Sequence, residues 1–194
     1  MQIEVAALKE TLPNFPAEVL EEWLLPYAMS EGWPPAPSGS AALSGRWRYL
    51  LKNQPLDYWR SMEWGMVERH VSIHDLDSEF QQIMVQIVLG AIQGQFNLYS
   101  SQINDLTPRF NRIKEHFSQF GTHPKPPALL AEPHGLTVAD GNHRMAAYLY
   151  CYGYFNLDLD ASLQLKTKEI QSYWVGKPNP SFNTDWRDKA APAG

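Results

Sequence analysis

The segment that most constrains the fold is LTVADGNHRMAAYLYCYG, residues 136–153. It begins with an apolar, β-branched run, continues with the polar residues Asp140 to Arg144, and ends with a helix-like run before Gly153. A short apolar run followed at once by a helical pattern predicts a strand that leads directly into a helix. The chemistry-bearing residues therefore lie where the strand ends and the helix begins.

The start of such a helix is suited to an anion, because its first N–H groups have no partner within the helix. Arg144 adds a fork of donors, and His143 can donate a hydrogen bond or carry a proton. Gly141 allows close approach, and Asn142 can cap the helix or contact a ligand. Asp140 can orient its neighbours or bind a metal ion. An ordinary turn and cap facing solvent explains the same residues, and spacing alone leaves both interpretations open.

Upstream of this segment, the sequence predicts a strand followed by an amphipathic helix. Apolar and polar residues alternate within residues 66–73, which is typical of a half-buried strand. The pattern S-x-x-Q from Ser78 to Gln81 matches a capping box, and the helix that it opens has one apolar face. The residues of that face are Phe80, Ile83, Met84, Ile87, Val88, Ala91 and Ile92.

A second amphipathic helix is predicted over residues 108–120, with Thr107 as its cap. Its inward residues are Phe110, Ile113 and Phe117. Arg109, Arg112 and His116 lie along another face. That polar face is either a solvated surface or a basic wall beside an anion site.

Two short strands, residues 128–131 and 136–139, are joined by a tight turn in a predicted hairpin that ends at Asp140. Beyond the motif helix, period-two alternation predicts another strand over residues 155–160. The polar stretch that follows is expected to be helical over residues 167–174.

The chain divides by character into three parts. Residues 1–65 predict short helices broken by proline and rich in tryptophan, and residues 176–194 are Pro-rich, polar and expected to be irregular. The strands and longer helices fall within residues 66–175. We therefore expect an α+β fold at 66–175, with a helical N-terminal extension and an irregular C-terminal tail.

Composition narrows the classes of function. A net charge of −5 and a pI near 5.6 argue against broad affinity for nucleic-acid phosphates, which needs a Lys/Arg-rich face. The chain has neither the long apolar run of a membrane helix nor the pattern of a signal peptide, so we expect a cytoplasmic protein without membrane contact. The single Cys151 fits that compartment and is expected in the core.

The hairpin and the turn together resemble a known family. The segments PPALL at 126–130, LTVA at 136–139 and DGNHRMAA at 140–147 are similar to the core signature of the ParB/sulfiredoxin superfamily. That signature is a strand hairpin, then a G-x-x-R or D-G-x-x-R turn, then a helix with small residues. The segments near Val71 and after Phe155 resemble the strands on either side, so the resemblance covers roughly residues 66–175. It implies a ParB/sulfiredoxin-like small mixed sheet flanked by helices.

The resemblance also implies a ligand and a chemistry. Members of the superfamily bind nucleotides or other phosphate compounds at the turn that corresponds to residues 141–144, so Gly141, Asn142, His143 and Arg144 are the expected ligand-binding residues. The implied ligand is a small phosphate compound, such as ATP or CTP with Mg²⁺. The implied reaction is phosphoryl transfer or nucleotide hydrolysis.

Specific roles follow from this hypothesis. His143 and Asp140 are the first catalytic candidates, and Asp140 is also the candidate metal ligand. The carboxylates of Asp75 and Glu79, after the first strand, are candidates to face the site. The basic wall, Arg109 and Arg112, would add contacts to phosphate.

Departures from the family narrow these expectations. Asn142 stands where sulfiredoxins carry a cysteine, so sulfinic acid reduction is not expected. Few residues follow the domain, so the DNA-binding helix-turn-helix of partition proteins is not expected either. Two alternatives remain. The first is a non-catalytic module that binds a nucleotide and, as a homo-oligomer, changes its self-association through the aromatic N-terminal segment. The second is a ParB-like nuclease or DNA-associated protein, which the acidic net charge argues against.

Overall fold

The structure is a computed structural model that describes residues 3–36, 43–95, 105–155, 157 and 161–179. Within these residues, helices and one sheet give the α+β class that the sequence predicts. None of the described helices has the length and apolar character that spanning a membrane requires. The described residues divide into two compact units. One is Met66–Val175, and the other contains the residues up to Gly65 and those described after Val175.

The N-terminal unit consists of short helices around an aromatic core. The helices are α1 (Val5–Thr11), α2 (Ala17–Val19), α3 (Leu25–Glu31), α4 (Gly45–Leu50) and α5 (Leu56–Arg60), and a π-helical turn (Leu20–Leu24) joins α2 to α3. Phe15, Trp23 and Trp59 are buried, and their ring centroids lie between 5.3 and 6.3 Å apart. Aromatic packing of this kind explains why so short a set of helices carries so much tryptophan.

The sheet has four strands among the described residues. They are β1 (Glu63–Arg69), β2 (Ala128–Glu132), β3 (Gly135–Asp140) and β4 (Gln171–Lys177), and their order across the sheet is β1-β4-β2-β3. Strands β2 and β3 are antiparallel, with Leu129 opposite Val138 and Glu132 opposite Gly135. This confirms the hairpin that the sequence predicts before Asp140.

In the unit Met66–Val175, four helices among the described residues accompany the strands. They are α6 (Ser78–Gln93), α7 (Leu106–Phe120), α8 (Asn142–Tyr152) and α9 (Ala161–Lys166). Their apolar faces and the sheet share one core, whose buried members include Met84, Ile87, Phe110, Phe117, Val138, Met145, Tyr148 and Cys151. The amphipathic patterns of α6 and α7 are therefore confirmed, and so is the core position of Cys151. Burial raises the pKa of the Cys151 thiol to about 12.

The residues before α6 differ from the prediction. The first strand ends at Arg69, and a 3-10 turn (Ile73–Asp75) follows it, so Val71 is buried outside any strand. The N-cap of α6 is Asp77, not Ser78: its Oδ1 accepts hydrogen bonds from the N–H groups of Glu79 and Phe80 at 2.9 and 3.1 Å. Aspartate and serine cap helices about equally well, so the sequence pattern alone could not decide between neighbours.

The predicted helix over residues 167–174 is wrong, because β4 begins at Gln171 and α9 ends at Lys166. Gln171 is buried, and its Nε2 donates to the carbonyl oxygens of Gly121 and Lys168 at 2.9 and 2.7 Å. A polar residue at an inward position hides the alternation of a strand. In the predicted strand over 155–160, residues 155 and 157 are bends, and the others lie outside the described residues.

Candidate functional site

The candidate site is the junction between β3 and α8. β3 ends at Asp140, α8 begins at Asn142, and Gly141 between them is the N-cap with a left-handed φ of 94°. A methyl group on Gly141 would lie 2.9 Å from Arg144 Nε and 3.1 Å from Pro127 Cβ. Both the backbone angle and the packing therefore require glycine, which lets the Arg144 side chain lie against the turn.

Arg144 is held from two sides. Its Nη2 donates to Asp140 Oδ2, and its Nη1 donates to the Lys125 carbonyl oxygen at 3.4 Å. The Arg144 side chain is only 13% exposed, and that of Asp140 is 28% exposed. The ion pair spans four residues from the end of the strand into the first turn of the helix, so the guanidinium has a fixed position.

The start of α7 contributes a second ion pair. Arg109 Nη2 donates to Asp105 Oδ1 at 2.9 Å and to Oδ2 at 3.0 Å. The hydrogen bonds from Arg109 lower the pKa of the Asp105 carboxyl. Asp105 precedes α7 where Thr107 was predicted to cap it, and Thr107 is already within the helix. Arg112 is exposed farther along α7, so the basic wall is reduced to one arginine that is already paired.

The charges of both ion pairs act on His143. Burial, together with the charges of Arg109 and Arg144, lowers the pKa of His143 to about 4, although the charge of Asp105 opposes the shift. Its buried Nε2 has no hydrogen-bond partner among the described residues. At neutral pH the ring is therefore uncharged, so it offers a hydrogen bond or accepts a proton, and it does not begin as an imidazolium acid.

Asp75 and Glu79 do not lie at this junction. The segment 75–77 packs against Gly135 at the start of β3, where a Cβ on Gly135 would lie 3.1 Å from the Asp75 carbonyl oxygen. The candidate site is at the other end of the same strand, roughly 17 Å away at the usual rise per residue. The prediction that these two carboxylates face the turn is therefore wrong. The segment that carries them packs against the first residue of β3, whereas the turn follows the last residue of that strand.

Asp75 makes local contacts with the residues before α6, and Glu79 faces solvent. The Ser72 N–H donates to Asp75 Oδ2 at 2.7 Å. Burial raises the pKa of the Asp75 carboxyl, but the hydrogen bonds from Ser72 and the charge of Arg69 outweigh it, so the pKa is lowered. Glu79 is exposed in the first turn of α6.

One histidine near the site was missed by sequence reasoning. His123 is 8% exposed, and its ring lies 5.3 to 5.4 Å from the rings of Phe117, Tyr148 and Tyr173. Burial lowers its pKa to about 3, and the charge of Arg144 contributes. Nothing in the sequence distinguishes this histidine from a surface residue in a Pro-rich connector.

Asp105 was also missed, although a signal for it exists. Asp105 and Arg109 are four residues apart, which is the spacing of an ion pair on a helix, and the same spacing separates Asp140 from Arg144. Charges of both pairs act on His143, so the site contains two acids and two arginines.

A metal ion held by the protein alone does not fit these residues. Among the described residues, no group of three or more histidine, cysteine or acidic side chains could hold a metal ion. The Asp140 carboxylate, the predicted metal ligand, is bonded to Arg144.

The chain was compared with models of protein families, with curated proteins and with solved structures, and no match was found. The function is therefore inferred from the residues of the site.

Proposed function

We propose that the unit Met66–Val175 is a ParB/sulfiredoxin-like domain that binds the phosphate group of a nucleotide or phosphorylated metabolite at residues 140–144. The observation that carries this proposal is the Arg144 guanidinium, which lies against Gly141 at the start of an 11-residue helix. Glycine has no side chain to compete for the first N–H groups of α8. An oxyanion at this position would meet both those N–H groups and the guanidinium.

The geometry of Arg144 suits an oxyanion. A guanidinium has five N–H donors, and the described acceptors, Asp140 Oδ2 and the Lys125 carbonyl oxygen, engage Nη2 and Nη1. The fork is already ordered by these contacts, so little side-chain entropy is lost when a ligand binds. Paired donors of this kind match two oxygens of one phosphate.

The charges of the site favour a phosphate dianion or a polyphosphate. Asp140 and Asp105 balance Arg144 and Arg109 through the two ion pairs. A ligand with a single negative charge gains little in competition with these carboxylates, whereas a multiply charged phosphate gains more from each arginine. We therefore expect nucleoside triphosphates to bind more tightly than simple carboxylates.

Phosphoryl transfer or nucleotide hydrolysis is the reaction that we propose for this site. Uncharged His143 would donate a hydrogen bond to the phosphate or accept a proton from the attacking group. Asp105, through its proximity to His143, replaces Asp75 and Glu79 as the second carboxylate of the proposal. Mg²⁺ would be held by the phosphate oxygens, and no step of this proposal depends on it.

A second candidate function is the non-catalytic, nucleotide-gated module. It is favoured by one observation: the carboxylates of Asp105 and Asp140 are both engaged in ion pairs, which suits binding more than proton transfer. This function predicts saturable binding and a change in association without product.

Two variants that break the same ion pair test the binding proposal. Arg144→Gln removes the guanidinium that would donate to the ligand. Asp140→Asn keeps this guanidinium and removes the carboxylate that competes with the ligand for it. We expect calorimetric titration with ATP, CTP and phosphorylated metabolites, with and without Mg²⁺, to show binding that falls tenfold or more in Arg144→Gln. Binding should persist or strengthen in Asp140→Asn, which controls for any loss of stability. Equal effects of the two variants on affinity would refute the proposal.

The enzyme and the module are separated by product analysis. Protein saturated with the ligand that binds most tightly is incubated with Mg²⁺ and followed by phosphorus NMR. Release or transfer of phosphate that disappears in His143→Asn supports the enzyme. Unchanged ligand together with a change of mass in light scattering supports the module.

A further inference from the structure

The strand β1 forms an open edge of the sheet. It is the first strand in the order β1-β4-β2-β3, and among the described residues no other strand pairs with its outer side. Every residue of β1 is exposed except Trp64 and Val67, which are partly buried, and Met66 is 46% exposed. An exposed edge offers a row of backbone N–H and C=O groups to another strand.

The sequence of β1 is complementary to itself when it is read backwards. In an antiparallel pair centred on Met66, Glu63 of each copy lies opposite Arg69 of the other, and Trp64 lies opposite Glu68. Opposite charges that face each other across a strand pair stabilise it. Both ends of such a pair therefore carry a Glu–Arg contact.

Two-fold symmetry limits the alternatives. Only alternate residues of an edge strand point their N–H and C=O groups outward, so a symmetric pair must join residues of the same parity. A shift to a centre at Gly65 places Glu63 opposite Val67, and a centre at Val67 places Arg69 opposite Gly65. Of these three registers, only the one centred on Met66 pairs Glu63 with Arg69.

Arg69 is available for this contact. Among the described residues it pairs with Asp75, at 3.5 Å between Nη2 and Oδ1, and its Nε donates to the His70 carbonyl oxygen at 3.1 Å, while the Arg69 side chain is 43% exposed. A pair of this length on the surface contributes little and can exchange for another carboxylate.

We propose that two copies of the chain form a two-fold dimer through antiparallel pairing of their β1 strands, with Met66 opposite Met66. The pairing continues the sheet from one copy into the other. It is independent of the proposed function, since it does not involve residues 140–144.

Disulfide trapping tests the register directly. Residues directly opposite in an antiparallel pair have Cα atoms about 4.5 to 5.5 Å apart, which a disulfide can span. Met66→Cys should therefore cross-link two copies under mild oxidation. Glu68→Cys, on the same face of the strand, is the matched control, because its two copies would lie four residues out of register, roughly 13 Å apart. The native Cys151 is buried and does not interfere.

A charge exchange tests the dimer without cross-linking. Sedimentation of the wild-type chain over a range of concentrations should show a monomer–dimer equilibrium. Glu63→Arg places Arg opposite Arg69 at both ends and should weaken dimerisation tenfold or more, and the double variant Glu63→Arg, Arg69→Glu should restore it. Circular dichroism of each variant checks that the chain is folded.

Three results would overturn the proposal: a wild-type chain that stays monomeric at all concentrations, equal cross-linking of Met66→Cys and Glu68→Cys, or a double variant that dimerises no better than Glu63→Arg alone. None of these readouts depends on a nucleotide, so failure here is distinguishable from failure of the proposed binding site.

Discussion

The buried His123 makes the stability of the protein depend on pH. In the unfolded chain a histidine titrates near its ordinary value of 6.5, whereas burial lowers the pKa of His123 to about 3 in the folded protein. Well above pH 6.5 the His123 ring is uncharged in both states, and pH has no effect on stability through this group. As pH falls from 6.5 towards 3, His123 binds a proton in the unfolded chain but stays uncharged in the folded protein. The free energy of unfolding therefore decreases.

The size of the effect follows from the two pKa values. At about pH 5 the unfolded chain has gained about 2 kcal/mol from protonation of His123 relative to about pH 8, while the folded protein has gained almost nothing. The slope approaches about 1.4 kcal/mol per pH unit, which is one proton. His143, with a pKa lowered to about 4, acts in the same direction.

Urea unfolding at several pH values measures this effect, and a comparison of variants isolates it. His123→Phe keeps a ring among Phe117, Tyr148 and Tyr173 and removes the titration. Between about pH 8 and pH 5, the free energy of unfolding should decrease in both proteins. We expect the decrease in His123→Phe to be about 2 kcal/mol smaller than in the wild-type chain. His134→Gln, at the exposed hairpin turn, is the matched control for the loss of one histidine from the chain. An NMR titration in which the folded His123 ring becomes charged above pH 5 would refute the reasoning.

Three further predictions concern individual residues. Gly141→Ala should lower the free energy of unfolding in urea by about 2 kcal/mol or more, and Gly94→Ala by less. Both glycines have positive φ, but a Cβ at Gly94 would meet nothing within 4 Å. Equal losses would contradict the packing of Arg144 on the turn. Asp77→Ala should cost about 1 kcal/mol and Ser78→Ala close to none, and the reverse order would return the N-cap to Ser78. Cys151 should react with a thiol reagent only on unfolding, because burial raises its pKa to about 12, and rapid labelling of the native protein would disprove its burial.

Elements with local signals were predictable from the sequence. The hairpin, the turn and α8 are contiguous in the chain, and Gly141 and Gly153 mark both ends of the helix with left-handed backbone angles. The apolar periods of α6 and α7 are long enough to identify their buried faces. The same local pattern predicts that Gly141, His143 and Arg144 lie close together in the site.

Features that depend on distant residues were not predictable. β4 was missed because Gln171 is a polar residue whose buried side chain is satisfied by the backbone of Gly121, His123 and Lys168, which lie outside the strand. The positions of Asp75 and Glu79 depend on which end of β3 their segment joins, and no local pattern encodes that. His123 takes its low pKa from rings contributed by α7, α8 and β4.

The order of the strands has a consequence for engineering. β1 and β4 are neighbours in the sheet, although residues 70–170 separate them in sequence, and the unit Met66–Val175 starts within β1 and ends within β4. That unit therefore begins and ends on adjacent strands, which are roughly 5 Å apart in a sheet. A short linker can join its two ends, and the exposed turn at Pro133 and His134 offers a place to open the chain anew. A circular permutant made in this way would carry its new termini on the hairpin and leave the turn at residues 140–144 covalently intact.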